Sequence, residues 1–474
     1  MIQLTELRYL LPFIVVFAGI IITLLVFLII KNKIIQYGCS VLVLLVGLFS
    51  NFYLIDKEVF ILGESLKITN VTVFFSTLAF LMTLFTILVS YQYLQKYSSN
   101  FFEYYLVVMF ALLGMLVLIF ANDLLLVFLG IETMSISFYI LAGFFRKTIK
   151  SNESALKYFL MGAFMTGFLL FGIALIFGMT GETNISKILT HNVIFRQPVF
   201  LVGTGFLFIG MLFKIGIFPF HMWIPDVYEG APTVVTGLFS TSGKIAATSF
   251  LVGIFVDMGI PDYKNLFALL AIATLFVSNV IALSQTNIKR LLAYSSISSA
   301  GFVLVGLTSM DSFATKAIPF YLFAYSLAQL GAFILVGVLE KSNEGKDYLN
   351  LNLTDYRGFY RKNPLFTIYL SIFLFSLGGM PPLFGFFGKY YLFYAAIKAD
   401  LIWLAIVAIL MSVIAMYYYI RIIVLMWFYE ETDEKVTVKI DPLTQFTLVL
   451  LGIGTIVLGF FPQSIFSLFN LVIK

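Results

Sequence analysis

The sequence predicts an all-α membrane protein of about 14 transmembrane helices, two of them broken, with two inverted five-helix repeats. Three observations predict this. Of the 474 residues, 61% are hydrophobic and only 11% charged, where a soluble domain carries about one quarter charged residues. Apolar runs long enough to span a bilayer, about 18 residues or more, recur along the whole length. Two of these runs are interrupted in mid-length by Gly and Pro, and the two lie five spans apart.

The spans fall near 9–30, 34–54, 70–95, 103–121, 123–145, 155–180, 198–219, 232–256, 264–285, 290–308, 314–339, 363–397, 401–428 and 443–470. They are too long and too uniformly apolar for barrel strands, which alternate over roughly ten residues. A helix also satisfies its own backbone inside lipid. The first run is read as a retained span, not a signal peptide, because of its length and its Lys31/Lys33 flank. The longest polar stretch, near Lys341 to Asn363, is too short to hold a soluble core.

The seventh span contains Gly216 and Pro219, and the twelfth contains Gly378, Gly379, Pro381 and Pro382. Proline removes a helix hydrogen bond and clashes with the preceding turn. At membrane depth such a break is tolerated only where protein or a water-filled cavity covers the freed backbone. Breaks at corresponding places indicate an internal repeat, here the fourth to eighth spans and the ninth to thirteenth. An odd offset inverts the second copy. The divisions expected are 1–100 (helices 1 to 3), 101–260 (first repeat), 261–430 (second repeat) and 431–474 (a cytoplasmic loop and the last helix). The copies differ in that Lys214 precedes its Pro, whereas Lys389 follows Pro382.

The net charge of +5 does not indicate a nucleic-acid partner. Its distribution sets the topology instead. Lys31, Lys33, Arg146, Lys147, Lys150, Lys289, Arg290, Lys341, Lys346, Arg357, Arg361 and Lys362 fall in alternate loops. The positive-inside rule places those loops in the cytoplasm and the N-terminus outside. The single cysteine, Cys39, excludes internal disulfides and Cys-ligated iron–sulfur centres. No Walker A loop, GxGxxG, CxxC or His-rich cluster is present, so no cofactor is expected on this chain.

Four ionisable residues lie in apolar runs: Glu132, Lys214, Lys244 and Lys389. A charge at mid-membrane costs about 3 kcal/mol or more, so each is a functional-site candidate. Glu132 is the natural partner of Lys214; the plainer reading of Glu132 is a structural ion pair or a hydrogen-bonded neutral acid. Snorkelling is the alternative for Lys214, but apolar residues flank it on both sides. Lys244 sits among Ser, Thr, Gly and Ala near mid-depth, where a structural charge is the rival reading. Lys389 is either a mid-depth proton site or an outlet near the far end. Tyr294, Ser295 and Ser298 on the tenth span, and Tyr321, Tyr325 and Gln329 on the eleventh, would hold water between Lys244 and Lys389, or simply bond the helices together. His221 reads as a loop or helix-end anchor with a relay role as the alternative. His191, Arg421 and the acidic run Glu430 to Glu434 read as solvated, and Lys316 as interfacial.

The strings KIGIFPFHMWIPDVYEGAPT (214–233), SLGGMPPLFGFFGKYYLF (376–393) and DYRGFYRKNP (355–364), with Glu132 in the fifth span and Lys244 thirty residues after Lys214, resemble the antiporter-like membrane subunits of respiratory complex I, the bacterial NADH–quinone oxidoreductase. Their wording is nearest the subunit-N branch, and the resemblance covers about residues 70 to 430. Multisubunit cation/proton antiporter subunits are related. The resemblance implies 14 helices, inverted repeats, and one proton path through a Glu132–Lys214 pair, Lys244 and Lys389. It implies other complex I membrane subunits as partners in a bacterial cell membrane. NADH, FMN, iron–sulfur clusters and quinone would belong to other subunits. Two rivals stand beside it: a cation/proton antiporter subunit, and a bracing subunit without an ion path.

Overall fold

The computed structural model describes residues 6–30, 32–97, 102–190, 197–258, 263–309, 311, 313–343, 347–349, 351–430 and 440–472. The helices are, in order, α1 Leu11–Ile29, α2 Lys33–Phe52, α3 Asn70–Gln95, α4 Phe102–Phe120, α5 Leu124–Ala142, α6 Ile149–Thr180, α7 Ile185–Ile188, α8 Pro198–Ile215, α9 Trp223–Gly230, α10 Thr233–Leu238, α11 Lys244–Met258, α12 Lys264–Leu283, α13 Ile288–Leu307, α14 Ala314–Leu339, α15 Phe359–Lys362, α16 Pro364–Gly378, α17 Phe384–Lys398, α18 Ile402–Phe428, α19 Pro442–Phe460 and α20 Pro462–Val472. Two short antiparallel hairpins lie outside them, β1 Val59–Ile61 with β2 Leu66–Ile68, and β3 Lys341–Asn343 with β4 Asp347–Leu349.

Among the described residues, twelve helices are long and apolar enough to cross a membrane, so the chain is a multi-pass membrane protein. The eighth expected span is composed of shorter pieces, α10 running through a π turn, Phe239–Gly243, into α11, and the twelfth divides into α16 and α17 at the break that its glycines and prolines predict. The last expected span also divides. Phe461 precedes Pro462 and leaves helical geometry (φ −122°, ψ 49°), as a residue before proline tends to.

Helix starts follow local chemistry. Thr69 and Thr72 form a reciprocal capping box at α3, and Asp123, Asn287 and Asp441 cap α5, α13 and α19 with their side chains. Burial then sorts the helices. In their most apolar stretches α13 and α14 are 94% and 89% buried, whereas α1 and α6 are 28% buried. Phe17, Phe49, Phe164, Leu269 and Val413 are exposed on the outer helices, as a bilayer solvent permits. The centre of the bundle is therefore α13 and α14, and the candidate residues gather around them.

The two breaks share one backbone geometry. Gly216 ends α8 at φ 83°, ψ 42°, and Gly379 ends α16 at φ 82°, ψ 42°. Each is followed three residues on by a cis proline, Pro219 and Pro382. Left-handed backbone at this φ favours glycine.

Several solvated assignments need correction. Lys289, expected in a cytoplasmic loop, is wholly buried, because its side chain turns inward from the first turn of α13 to the carboxylate of Glu340, the residue that ends α14. Arg421 is half-buried and donates to the Leu283 carbonyl (3.3 Å). Glu430 is exposed and Lys316 half-buried. Lys31, His191, Lys346 and the rest of the acidic run lie outside the described residues.

Candidate functional site

The first station is at the end of α8. Lys214 is buried, and its Nζ donates to Ser135 Oγ at 2.6 Å. The rings of Phe213, Tyr139 and Tyr158 surround the ammonium, with centroids at 5.5, 5.7 and 6.0 Å, within cation–π range. Glu132 lies one helical turn before Ser135, on the same face of α5. Its Oε1 accepts from Thr166 Oγ1 of α6 at 2.8 Å. Gly114 and Gly130 bring α4 and α5 together here: a Cβ on Gly114 would stand 2.4 Å from the Met134 nitrogen. The expected Glu132–Lys214 contact is not closed. Among the described residues no carboxylate oxygen lies within 4.0 Å of Lys214 Nζ, because the Ser135 hydroxyl takes that place. Glu132 is nevertheless the carboxylate whose charge acts on Lys214.

Lys244 is the second station and opens α11 directly after the π turn. Such single π turns inside helices accompany functional sites. Its Nζ donates to Ser296 Oγ (2.7 Å), Ser299 Oγ (2.8 Å) and the Ser296 carbonyl. The Tyr325 ring lies 5.1 Å away, and the Tyr325 hydroxyl donates to Ser296 Oγ at 3.0 Å. Every acceptor comes from α13, so Lys244 is held across the bundle by a helix far along the chain.

At the second break stands Lys389, the third station. Its Nζ donates to the carbonyls of Leu377 (2.9 Å) and Gly378 (3.1 Å) and to Ser412 Oγ (3.0 Å). These carbonyls close α16, where the half-helix dipole presents its negative end. Lys389 thus sits on the break itself.

Between the second and third stations is a small cavity lined by Ser295, Ser298, Tyr321, Tyr325, Tyr418 and Tyr419, with Lys389 in its wall. Asn279 joins it, accepting from the Tyr418 hydroxyl (3.0 Å) and donating to Ser298 Oγ (3.1 Å), and Ser295 bonds the Tyr419 hydroxyl. A space lined by so many hydroxyls can hold water. Gln329 lies one turn beyond Tyr325 and donates to the Leu292 carbonyl at 3.2 Å. Tyr294 departs from expectation. It packs toward Arg290 at the end of α13 and not into the row.

His221 lies in the first break, between α8 and α9. It is buried, with its ring 5.6 Å from Phe218, and among the described residues its Nδ1 has no hydrogen-bond partner. It is thus held inside the break itself. Outside the break, Asp226 bonds Lys157 and Arg290 (both 2.7 Å) and Glu229 bonds Lys150 and Arg290 (both 2.9 Å), tying α9 to α6 and α13.

Sequence reasoning missed Thr166, Asn279, Ser412, Tyr418 and Tyr419. The adjacent tyrosines at 417–419 were the one readable signal among them. A lone Ser or Thr in an apolar helix gives none, since such side chains bond their own helix carbonyl equally well.

Comparison with known proteins places these features in a family. Residues 121–415 match the family model described as NADH:quinone oxidoreductase/Mrp antiporter, transmembrane. A relative in Trichlorobacter lovleyi, named NADH-quinone oxidoreductase subunit N, is 40% identical over 418 residues, 87% of this chain and 85% of that one. A solved structure of respiratory complex I from Thermus thermophilus with bound aureothin contains a chain 30% identical, covering 96% of this chain and 98% of that one, with a TM-score of 0.83. A chain of the archaeal membrane-bound sulfane sulfur reductase shares the fold at 22% identity and TM-score 0.87, covering 98% of this chain and 96% of that one.

Proposed function

The chain belongs to the NADH:quinone oxidoreductase/Mrp antiporter transmembrane family, and on that premise we propose that it is a proton-translocating membrane subunit of an NADH–quinone oxidoreductase. The observation that carries this reading is the row of buried lysines. Lys214, Lys244 and Lys389 are each buried on hydroxyl or carbonyl oxygens, and a hydroxyl-lined cavity lies between the last two.

A buried lysine's hold on its proton depends on the charge beside it. A change in the charge of Glu132, or in its distance from Lys214, alters that hold. Ser135, one turn after Glu132, is the hydroxyl on which Lys214 rests. The altered charge at Lys214 then acts on Lys244, whose proton passes by Ser299, Tyr325 and the cavity to Lys389. From Lys389 it leaves toward the outer face. Redox energy arrives from partner subunits, which hold NADH, FMN, iron–sulfur clusters and quinone; this chain carries no redox step of its own. Residues 101–260 and 261–430 form the two inverted units of this path, preceded by helices in 1–100 and followed by 431–474. The N-terminus faces outward, in a bacterial cell membrane.

Proton pumping by the assembled complex carrying Lys214→Ala tests this function. Loss of this chain's share of pumping is expected. Normal pumping with normal electron transfer would contradict it, and sodium flux through the chain without redox partners would favour the antiporter reading.

A further inference from the structure

Lys289 and Glu340 are wholly or nearly wholly buried, with Nζ to Oε2 at 3.9 Å. The path just described uses neither. Glu340 Oε1 accepts from Tyr93 (2.6 Å) and Tyr97, and Oε2 from Thr233 Oγ1. Lys289 Nζ also donates to the Ala231 carbonyl at 2.6 Å. Lys96, exposed at the end of α3, donates to the carbonyls of Gly337 (2.9 Å), Val338 (2.8 Å) and Glu340 (3.3 Å), so the pair sits just inside the basic face. Glu229, Lys150 and Tyr356 are the other titratable groups whose charges bear on it.

A buried ion pair is poor evidence for stability, since apolar residues of similar volume commonly pack as well. The face of α13 that starts at Lys289 also leads toward Lys244. On α13, Lys289, Leu292 and Ser296 recur at helical spacing on one face. On the facing α14, Gln329 bonds the Leu292 carbonyl and Tyr325 bonds Ser296. Gln329 Oε1 is buried and, among the described residues, lacks a hydrogen-bond partner. The Ser296 hydroxyl then touches Lys244.

We propose that the Lys289–Glu340 pair is the proton-loading station of the row, taking protons from the basic face and delivering them along the α13–α14 seam to Lys244. This rests on the proton-translocating reading above. The buried Glu340 carboxylate takes the proton of the half-buried Tyr97 hydroxyl that bonds it, and Tyr97 regains a proton from water at the basic face. As a neutral acid it releases its hold on the Lys289 ammonium, which gives a proton past Gln329 and Ser296 toward Lys244. The proton on Glu340 then moves to Lys289, and the ion pair is restored. One proton has entered and one has left.

The test compares assembly, electron transfer and proton pumping in complexes carrying Glu340→Gln, Lys289→Met/Glu340→Gln together, and Glu340→Asp. The double variant removes both charges, so packing is restored; it is expected to assemble and transfer electrons while this chain's share of pumping is lost. Glu340→Asp keeps the charge and is expected to displace the pH–rate profile of pumping. A double variant that pumps normally, or an aspartate variant with an unmoved profile, reduces the pair to a staple and overturns the proposal. Should the double variant fail to assemble, the Glu340→Asp profile decides alone. Lys244→Ala is the control. Its retained pumping would instead overturn the proton-translocating reading itself.

Discussion

Lys244 opens α11 and Ser296 lies on α13, yet Lys244 Nζ bonds both the hydroxyl (2.7 Å) and the carbonyl of Ser296. The central lysine is thus a seam residue. Removing one partner leaves a buried donor short of an acceptor, at roughly 1–3 kcal/mol. Ser299→Ala removes only one of its acceptors, and Ser296→Ala leaves the Ser296 carbonyl in place. Either single variant should assemble and pump at reduced, nonzero rates. The combined Ser296→Ala/Ser299→Ala variant should approach the loss seen for Lys244 itself, read as protons moved per electron.

Lys389 has two duties that separate by substitution. It caps the Leu377 and Gly378 carbonyls and carries a proton-binding group. Lys389→Met should lower both pumping and the melting temperature of the complex, since two buried carbonyls lose their partner at about 1–3 kcal/mol each. Lys389→Arg retains donors to the carbonyls. It should keep most of the thermal stability and still lose pumping, because guanidinium does not release its proton.

Much of this arrangement was legible in the sequence. Helices 70–95 and 314–339 were located to the residue, because long apolar runs end where caps and charges begin. Both Gly–Pro breaks, the three buried lysines Lys214, Lys244 and Lys389, and the half-buried Glu132 followed from the cost of such residues in lipid. Lys289 was misplaced because counting basic residues at helix ends assumes they are solvated; its partner Glu340 ends α14, and only the packing of α13 on α14 brings them together. The π turn at Phe239–Gly243 has no side-chain signature. Tyr294 lies one helical turn after Arg290 on the same face of α13 and interacts with it, a pairing that its place in the run with Ser295 and Ser298 does not show.

Gly216 carries the first break at φ 83°, and a Cβ there would lie 2.0 Å from Ile224 Cδ1 of α9. Gly216→Ala should destabilise the chain by about 1–2 kcal/mol from the left-handed backbone alone and disturb Lys214 two residues away. Gly178→Ala meets no atom within 4 Å and gains the ~0.5–1 kcal/mol of helix preference that alanine has over glycine. Thermal melting of the two variants side by side checks the contrast.

Glu132→Gln preserves a side-chain oxygen for Thr166 while removing the charge that acts on Lys214. Assembly and melting temperature should stay near those of the parent, and pumping should fall several-fold. Thr166→Ala, which frees the carboxylate from α6, should change pumping without removing the charge. Equal losses of assembly in both variants would point to a packing role for Glu132 instead.

The central claim is that protons cross this chain through its buried lysines. The most direct measurement is the number of protons moved per electron by the assembled complex carrying Lys244→Met, which replaces the ammonium by a side chain of similar length. The ratio should drop by this chain's contribution while the remaining subunits still assemble. An unchanged ratio at normal electron-transfer rate would contradict the account.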